Sequence, residues 1–191
     1  MKLVILDRDG VINEDRDDFV KNTMEWQPLP KSCDAIANLT QAGWHVVVAT
    51  NQSGIGRGLF DMASLNAVHA RMQRELAAVG GRVEAVFLCP HAPEDNCDCR
   101  KPRPGLFRQI GARFGVSLAD VPAAGNTLRH VTAAAAAGCP AHLLLTGPLA
   151  GLASADVQAM PDLPPGTRVH ADLGAFADWL LSQPTAPKTP A

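Results

Sequence analysis

An α/β fold, a doubly wound parallel sheet with helices on both faces, is predicted by three features of the sequence. Short apolar runs alternate with longer segments of helical period, the order that a parallel sheet requires. The runs are continuously apolar, as strands buried on both faces are, and Leu3-Val4-Ile5-Leu6 is the first of them. No internal repeat or second core divides the 191 residues, so residues 1–182 read as one domain and 183–191 as a flexible Pro-rich tail.

Composition narrows the function. Apolar residues make up 47% and charged residues 19%, the balance of a soluble globular protein. A net charge of -2 with no dense Lys/Arg run argues against nucleic acid as a partner. The apolar runs are too short to span a membrane, and the chain enters its first strand without a signal peptide, so a cytoplasmic protein is expected.

The first strand delivers Asp7 and Asp9 to its carboxyl end, where open α/β sheets place ligands. One carboxylate there can attack phosphorus while the other shuttles the proton, and Gly10 supplies the turn that follows. Val11 to Gln27 is polar and reads as a surface excursion or flap over these acids, with Trp26 as a packing anchor. Pro30 sits near the start of a helix that runs to about Ala42, where Gly43 stops it. His45 to Ala49 is the second strand, and Thr50-Asn51-Gln52-Ser53-Gly54-Ile55-Gly56-Arg57-Gly58 a turn of Gly and hydroxyl groups able to bind phosphate oxygens. Asp61 is an N-cap for a helix to about Val79, with Met62, Leu65, Val68, Met72, Leu76 and Val79 on one face; His69 reads as a surface residue of it.

Val83 to Leu88 is the third strand, and a cysteine-rich loop follows. Cys89, His91, Cys97 and Cys99 offer three thiolates and an imidazole, a closed tetrahedral set for a structural Zn²⁺. The loop runs into Arg100 and Lys101, cations that a pinned loop would present to phosphate. A helix from about Pro104 to Phe114, a weak strand over Val121 to Ala124 and an Ala-rich helix from Thr127 to Ala137 come next. Ala141 to Leu145 is the fifth strand; Thr167 to His170 and a helix from Leu173 to Leu181 close the domain. His45 and His142 lie on strands, and Cys33 and Cys139 read as small buried hydrophobes.

The stretch Asp7-Arg8-Asp9-Gly10 resembles the nucleophile motif of the haloacid dehalogenase-like phosphatases. With the Thr50–Gly58 turn and the cysteine loop ending in Arg100-Lys101-Pro102, the chain resembles the D-glycero-D-manno-heptose 1,7-bisphosphate 7-phosphatases, and also the related histidinol-phosphate phosphatases. The resemblance implies a Rossmann-like domain without a large cap, acting as a monomer on a small-molecule sugar phosphate. It implies Asp7 as nucleophile, Asp9 as acid/base, Thr50 and Lys101 holding the phosphoryl group, and Asn51, Arg57 and Arg100 holding substrate. It further implies catalytic Mg²⁺ on Asp7, Asp9 and the position of Asn126.

The fourth motif departs from this family. Gly125-Asn126-Thr127-Leu128-Arg129-His130 stands where the family carries two acids, so Asn126 and His130 remove two negative charges. Weaker Mg²⁺ binding follows, with a softer metal such as Mn²⁺ or Co²⁺ reached through His130. Two readings stay open: a working phosphatase with a substituted metal site, or a degenerate member kept as a sugar-phosphate-binding or interaction protein. The survival of Asp9 beside Asp7, Thr50 and Lys101 favours the enzyme.

Overall fold

Six apolar segments pair in parallel as one sheet in the computed structural model, which describes residues 1–184. The strands are β1 (Leu3–Leu6), β2 (His45–Asn51), β3 (Val83–Cys89), β4 (Ala123–Gly125), β5 (Ala141–Leu144) and β6 (Arg168–His170). Their order is β3-β2-β1-β4-β5-β6, so β1 is central and the winding changes direction between β1 and β4. A crevice outside the carboxyl ends of the strands at such a reversal is where this architecture binds ligands.

All four residues of β1 are fully buried, because each face of the sheet is covered. Val4 and Leu6 pack with Ile36 and Leu39 of α1 (Ser32–Gln41), Val68 and Met72 of α3 (Met62–Ala78) and Phe176 of α7 (Leu173–Ser182). Leu3 and Ile5 face the other layer, with Phe107 and Ile110 of α4 (Gly105–Phe114) and Val131 and Ala134 of α5 (Leu128–Ala137). Truncating one such side chain to Ala costs ~2–5 kcal/mol. Two short helices, α2 (Ser53–Gly56) and α6 (Ser154–Gln158), sit in the connections.

Helix limits follow local chemistry. Asp61 accepts the Ser64 amide at 2.8 Å and starts α3, and Thr127 accepts the His130 amide at 3.3 Å and starts α5. Gly138, at φ +91°, ends α5 in the left-handed conformation that a side chain resists.

Three expectations are corrected. The excursion after β1 is not a surface flap throughout: Val11, Ile12, Val20 and Trp26 belong to the core. The apolar face expected on α3 stops short of its ends, where Met62 and Val79 are exposed. Thr50 and Asn51 are the last residues of β2, paired with Leu88 and Cys89 of β3, and not part of a turn. The Pro-rich tail lies almost wholly outside the described residues. Among those described, no helix is long and apolar enough to cross a membrane.

Candidate active site

Asp7 extends β1 by one more ladder bond, its amide donating to the Ala124 carbonyl of β4 at 2.9 Å. The Arg8 carbonyl then takes the amides of Val11, Ile12 and Asn13, which turns the chain sharply and holds the Asp7 carboxylate at the sheet edge. Oδ1 accepts the Arg8 amide at 2.9 Å; Oδ2 lies 2.6 Å from Lys101 Nζ and 3.2 Å from His130 Nδ1. Burial would raise the Asp7 carboxyl, but the Lys101 ammonium and His130 hold it well below the usual carboxylate range. Burial pulls the Lys101 ammonium below the ordinary lysine value, and Asp7 opposes that pull. The pair is a buried anion and cation of matched charge.

Three anchors deliver Lys101. Its Nζ donates to the Ala49 carbonyl at 2.8 Å, and the Asn51 amide brackets its main chain, accepting from the Lys101 N–H and donating to its carbonyl, both at 3.1 Å. The third anchor is the cysteine loop that precedes it. Cys89, His91, Cys97 and Cys99 place their ligand atoms within 4.8 Å of one another, with neighbouring pairs 3.2–3.6 Å apart. A tetrahedral zinc with ~2.3 Å arms has edges near 3.8 Å, so the four atoms suit a slightly expanded version of this cluster. Helix α2 is tied to the same loop through Gly56, whose amide donates to the Pro90 carbonyl at 2.9 Å.

The Asp9 carboxylate is immobilised by donors. Its Oδ1 accepts from Arg8 Nε at 3.0 Å, Arg8 Nη2 at 2.7 Å and Asn13 Nδ2 at 2.9 Å. Its Oδ2 accepts from Arg8 Nη2 at 3.0 Å and Gln52 Nε2 at 2.8 Å. The same Gln52 nitrogen donates to Thr50 Oγ1 at 2.9 Å. That bond occupies a lone pair of Thr50 and leaves its O–H to donate elsewhere, toward an anion in the cavity. Sequence reasoning passed over Gln52; the period of two that puts residues 50 and 52 on one side of an extended chain was the available signal.

A cavity of about 380 Å³ opens over these groups. Its lining holds Asp7, Asp9, Asp15 and Asp17 against Arg16, Arg57, Arg100, Lys101 and Arg129, five cations against four carboxylates. Asn51, Thr50 and Asn126 also line it, and Arg100 keeps a buried Nη1 that has no partner among the described residues. The structure thus brings together all the residues singled out for catalysis and substrate. Asn51 does so while spending its amide on Lys101.

Asn126 lies between two glycines: a Cβ on Gly10 (φ +73°) would sit 2.0 Å from its Nδ2 and one on Gly147 2.6 Å. Both ends of its amide are buried and have no partner among the described residues. A buried oxygen with no donor among the described residues, lining the same cavity as Asp7 and as Asp9, whose carbonyl takes no bond from those residues, fits an oxygen-seeking divalent cation. His130 does not fit the softer-metal role. Its Nδ1 faces Asp7 and Lys101, and its Nε2 is buried without a partner on a ring packed edge-on to Phe107. Burial and the Lys101 charge keep this imidazole neutral. Its Nδ1 stands between opposite partners, the Lys101 ammonium at 3.1 Å, which can only donate, and the Asp7 carboxylate at 3.2 Å, which can only accept.

Known proteins match the chain over most of its length. The polynucleotide kinase 3 phosphatase family model matches residues 2–135. The D-glycero-beta-D-manno-heptose-1,7-bisphosphate 7-phosphatase of Bordetella bronchiseptica is 56% identical over 183 residues, 96% of this chain and 99% of that protein. Its Pseudomonas aeruginosa counterpart is 49% identical over 180 residues, 94% and 97% of the two chains. Among solved structures, the Bordetella D,D-heptose 1,7-bisphosphate phosphatase complexed with magnesium and phosphate superposes with a TM-score of 0.89 at 56% identity, covering 95% of this chain and 98% of that one. The Burkholderia thailandensis enzyme gives 0.73 at 48% identity, covering 96% and 100%.

Proposed function

We propose a reaction from one premise: the chain belongs to the polynucleotide kinase 3 phosphatase family of haloacid dehalogenase-like phosphatases, on its heptose-1,7-bisphosphate 7-phosphatase branch. It is a phosphatase that removes the 7-phosphate of D-glycero-D-manno-heptose 1,7-bisphosphate. The Bordetella and Pseudomonas relatives are named for the β anomer, and the β anomer is the substrate assigned here.

In this reading the substrate phosphate enters over Asp7. An Asp7 oxygen attacks phosphorus in line and forms an aspartyl-phosphate, while Asp9 gives its proton to the departing C7 oxygen. Asp9 then takes a proton from water, and the resulting hydroxide displaces Asp7 and releases inorganic phosphate. Lys101 and the Thr50 hydroxyl hold the phosphoryl oxygens as negative charge shifts among them, the electrostatic contribution that usually dominates such catalysis. Arg57 and Arg100 take the rest of the sugar phosphate. Mg²⁺, held by the Asp7 carboxylate, the Asp9 main-chain oxygen and Asn126 Oδ1, would neutralise phosphoryl charge. Zn²⁺ on Cys89, His91, Cys97 and Cys99 fixes the loop that carries Arg100 and Lys101. The protein works as a one-domain monomer in the cytoplasm; its net charge of -2 fits a soluble substrate better than nucleic acid or an anionic membrane.

The buried Asp7–Lys101 pair on the floor of a cation-rimmed cavity is the observation that carries this reading. Steady-state phosphate release from the heptose bisphosphate with Mg²⁺ tests it. Turnover should be measurable in the native protein and at least ~10³-fold lower in Asp7→Asn. Equal activity in both would sink the assignment, and a silent native protein that binds the sugar phosphate would favour the degenerate reading.

A further inference from the structure

The mechanism leaves one buried cation without a job. Arg8 lies between the two reactive carboxylates, is fully buried, and pairs with Asp9 through Nε and Nη2. A guanidinium carries five N–H donors and accepts nothing. Its Nη1 leaves the phosphate cavity altogether and meets Nε2 of His69, on α3, at 3.1 Å. His69 is therefore not the surface residue expected from its helix. It is half-buried, and since Arg8 can only donate, the nitrogen facing it must be a bare lone pair, with the proton on Nδ1.

We infer that His69 is a positioning residue for the acid/base: by accepting Arg8 Nη1 it fixes the guanidinium fork, and the fork fixes the Asp9 carboxylate. Three observations point this way. Among the described residues, the Arg8 side chain hydrogen-bonds only to Asp9 and His69. Asp9 takes three of its five side-chain hydrogen bonds from Arg8, so a turn of the guanidinium must move or free the carboxylate. And the imidazole stays neutral near pH 7, because burial first and the Arg8 charge second push it down to about 4, against a smaller opposite pull from Asp9. A charged imidazole could not accept this bond.

The inference rests on Asp9 being the acid/base, and its test separates the two claims. His69→Ala removes the acceptor; His69→Gln offers an amide oxygen in its place. Against native protein, His69→Ala should lower kcat about tenfold with KM changed less than about twofold, the pattern of a group that orients chemistry rather than substrate. His69→Gln should recover to within about threefold of native, with both variants keeping the native thermal midpoint to within a few degrees. Unchanged kcat in His69→Ala, or equal losses in both variants, would overturn the inference. Imidazole ¹⁵N spectra of the native protein give a readout that needs no turnover. His69 should appear as the neutral Nδ1–H tautomer at pH 7, and an Nε2–H or doubly protonated ring would overturn the inference even in an inactive preparation. A native protein without turnover but with the expected tautomer would instead count against the role of Asp9.

Discussion

Replacing Lys101 with Met keeps the length of the apolar stem and deletes the charge that lies 2.6 Å from Asp7. An opposite charge at such range lowers a carboxyl pKa, so its removal releases Asp7 upward. Burial, the largest influence on this carboxyl, is then opposed by His130 without the ammonium. The native pH dependence of stability is thereby weakened. In the native protein the Asp7 carboxyl is held below its unfolded value, so its stabilisation is complete above the ordinary carboxylate range and is lost only as pH falls through the lower folded value. In Lys101→Met the folded value rises toward the unfolded one, so less of that stabilisation is there to be lost as pH falls. At pH 7 an uncompensated buried carboxylate costs ~3–5 kcal/mol, or roughly 10 °C in thermal midpoint for a chain of this size. The Ala49 carbonyl also loses its donor. Turnover should fall ~10²–10³-fold, and the acid limb of kcat/KM should move to higher pH. Both are read from phosphate release across pH 4–8 and melting curves at the same pH values. A variant with native turnover and an unmoved acid limb would refute the argument that Lys101 is the counter-charge of the nucleophile.

Two further outcomes follow from the metal sites. Asn126→Asp puts a negative charge on the side chain packed between Gly10 and Gly147, and the Mg²⁺ concentration giving half-maximal turnover should drop about tenfold, ~1.4 kcal/mol. An unchanged Mg²⁺ requirement would mean that Asn126 is not a ligand. Protein purified without chelator should contain one zinc per chain, and Cys99→Ser should lose it. At about 3 kcal/mol the loss is worth roughly 6–12 °C in midpoint. Turnover should fall with it, since Lys101 follows Cys99 by two residues; a zinc-free native protein would end the structural-zinc reading.

Much of this molecule was legible because its signals are local. The continuous apolar run of β1, the Asp61 and Thr127 caps and the glycine after Ala137 each act within a turn or strand of themselves. The thiolate–imidazole set was legible for the same reason. What escaped depended on contacts between distant segments. Thr50 and Asn51 have the composition of a turn, yet pairing with Leu88 and Cys89 extends β2 through them. Val11, Ile12, Val20 and Trp26 are too few and too irregularly spaced to announce a core, and become one only under α1 and α3. His69 sits on the flank of its helix, and nothing within that helix reveals that Arg8 reaches it. His130 was weighed as a lost acid, whereas the fold makes it a neutral neighbour of the nucleophile.

The bracketing of Lys101 by Asn51, Ala49 and the cysteine loop also bears on assembly. Asp7 is synthesised before its counter-charge, with two strands, β2 and β3, between them. Until then, burying β1 to its end would strand a bare carboxylate in an apolar layer. The sheet centre and the reactive pair therefore have to close together, and a chain that has reached the catalytic geometry has, by that fact, finished folding its first half.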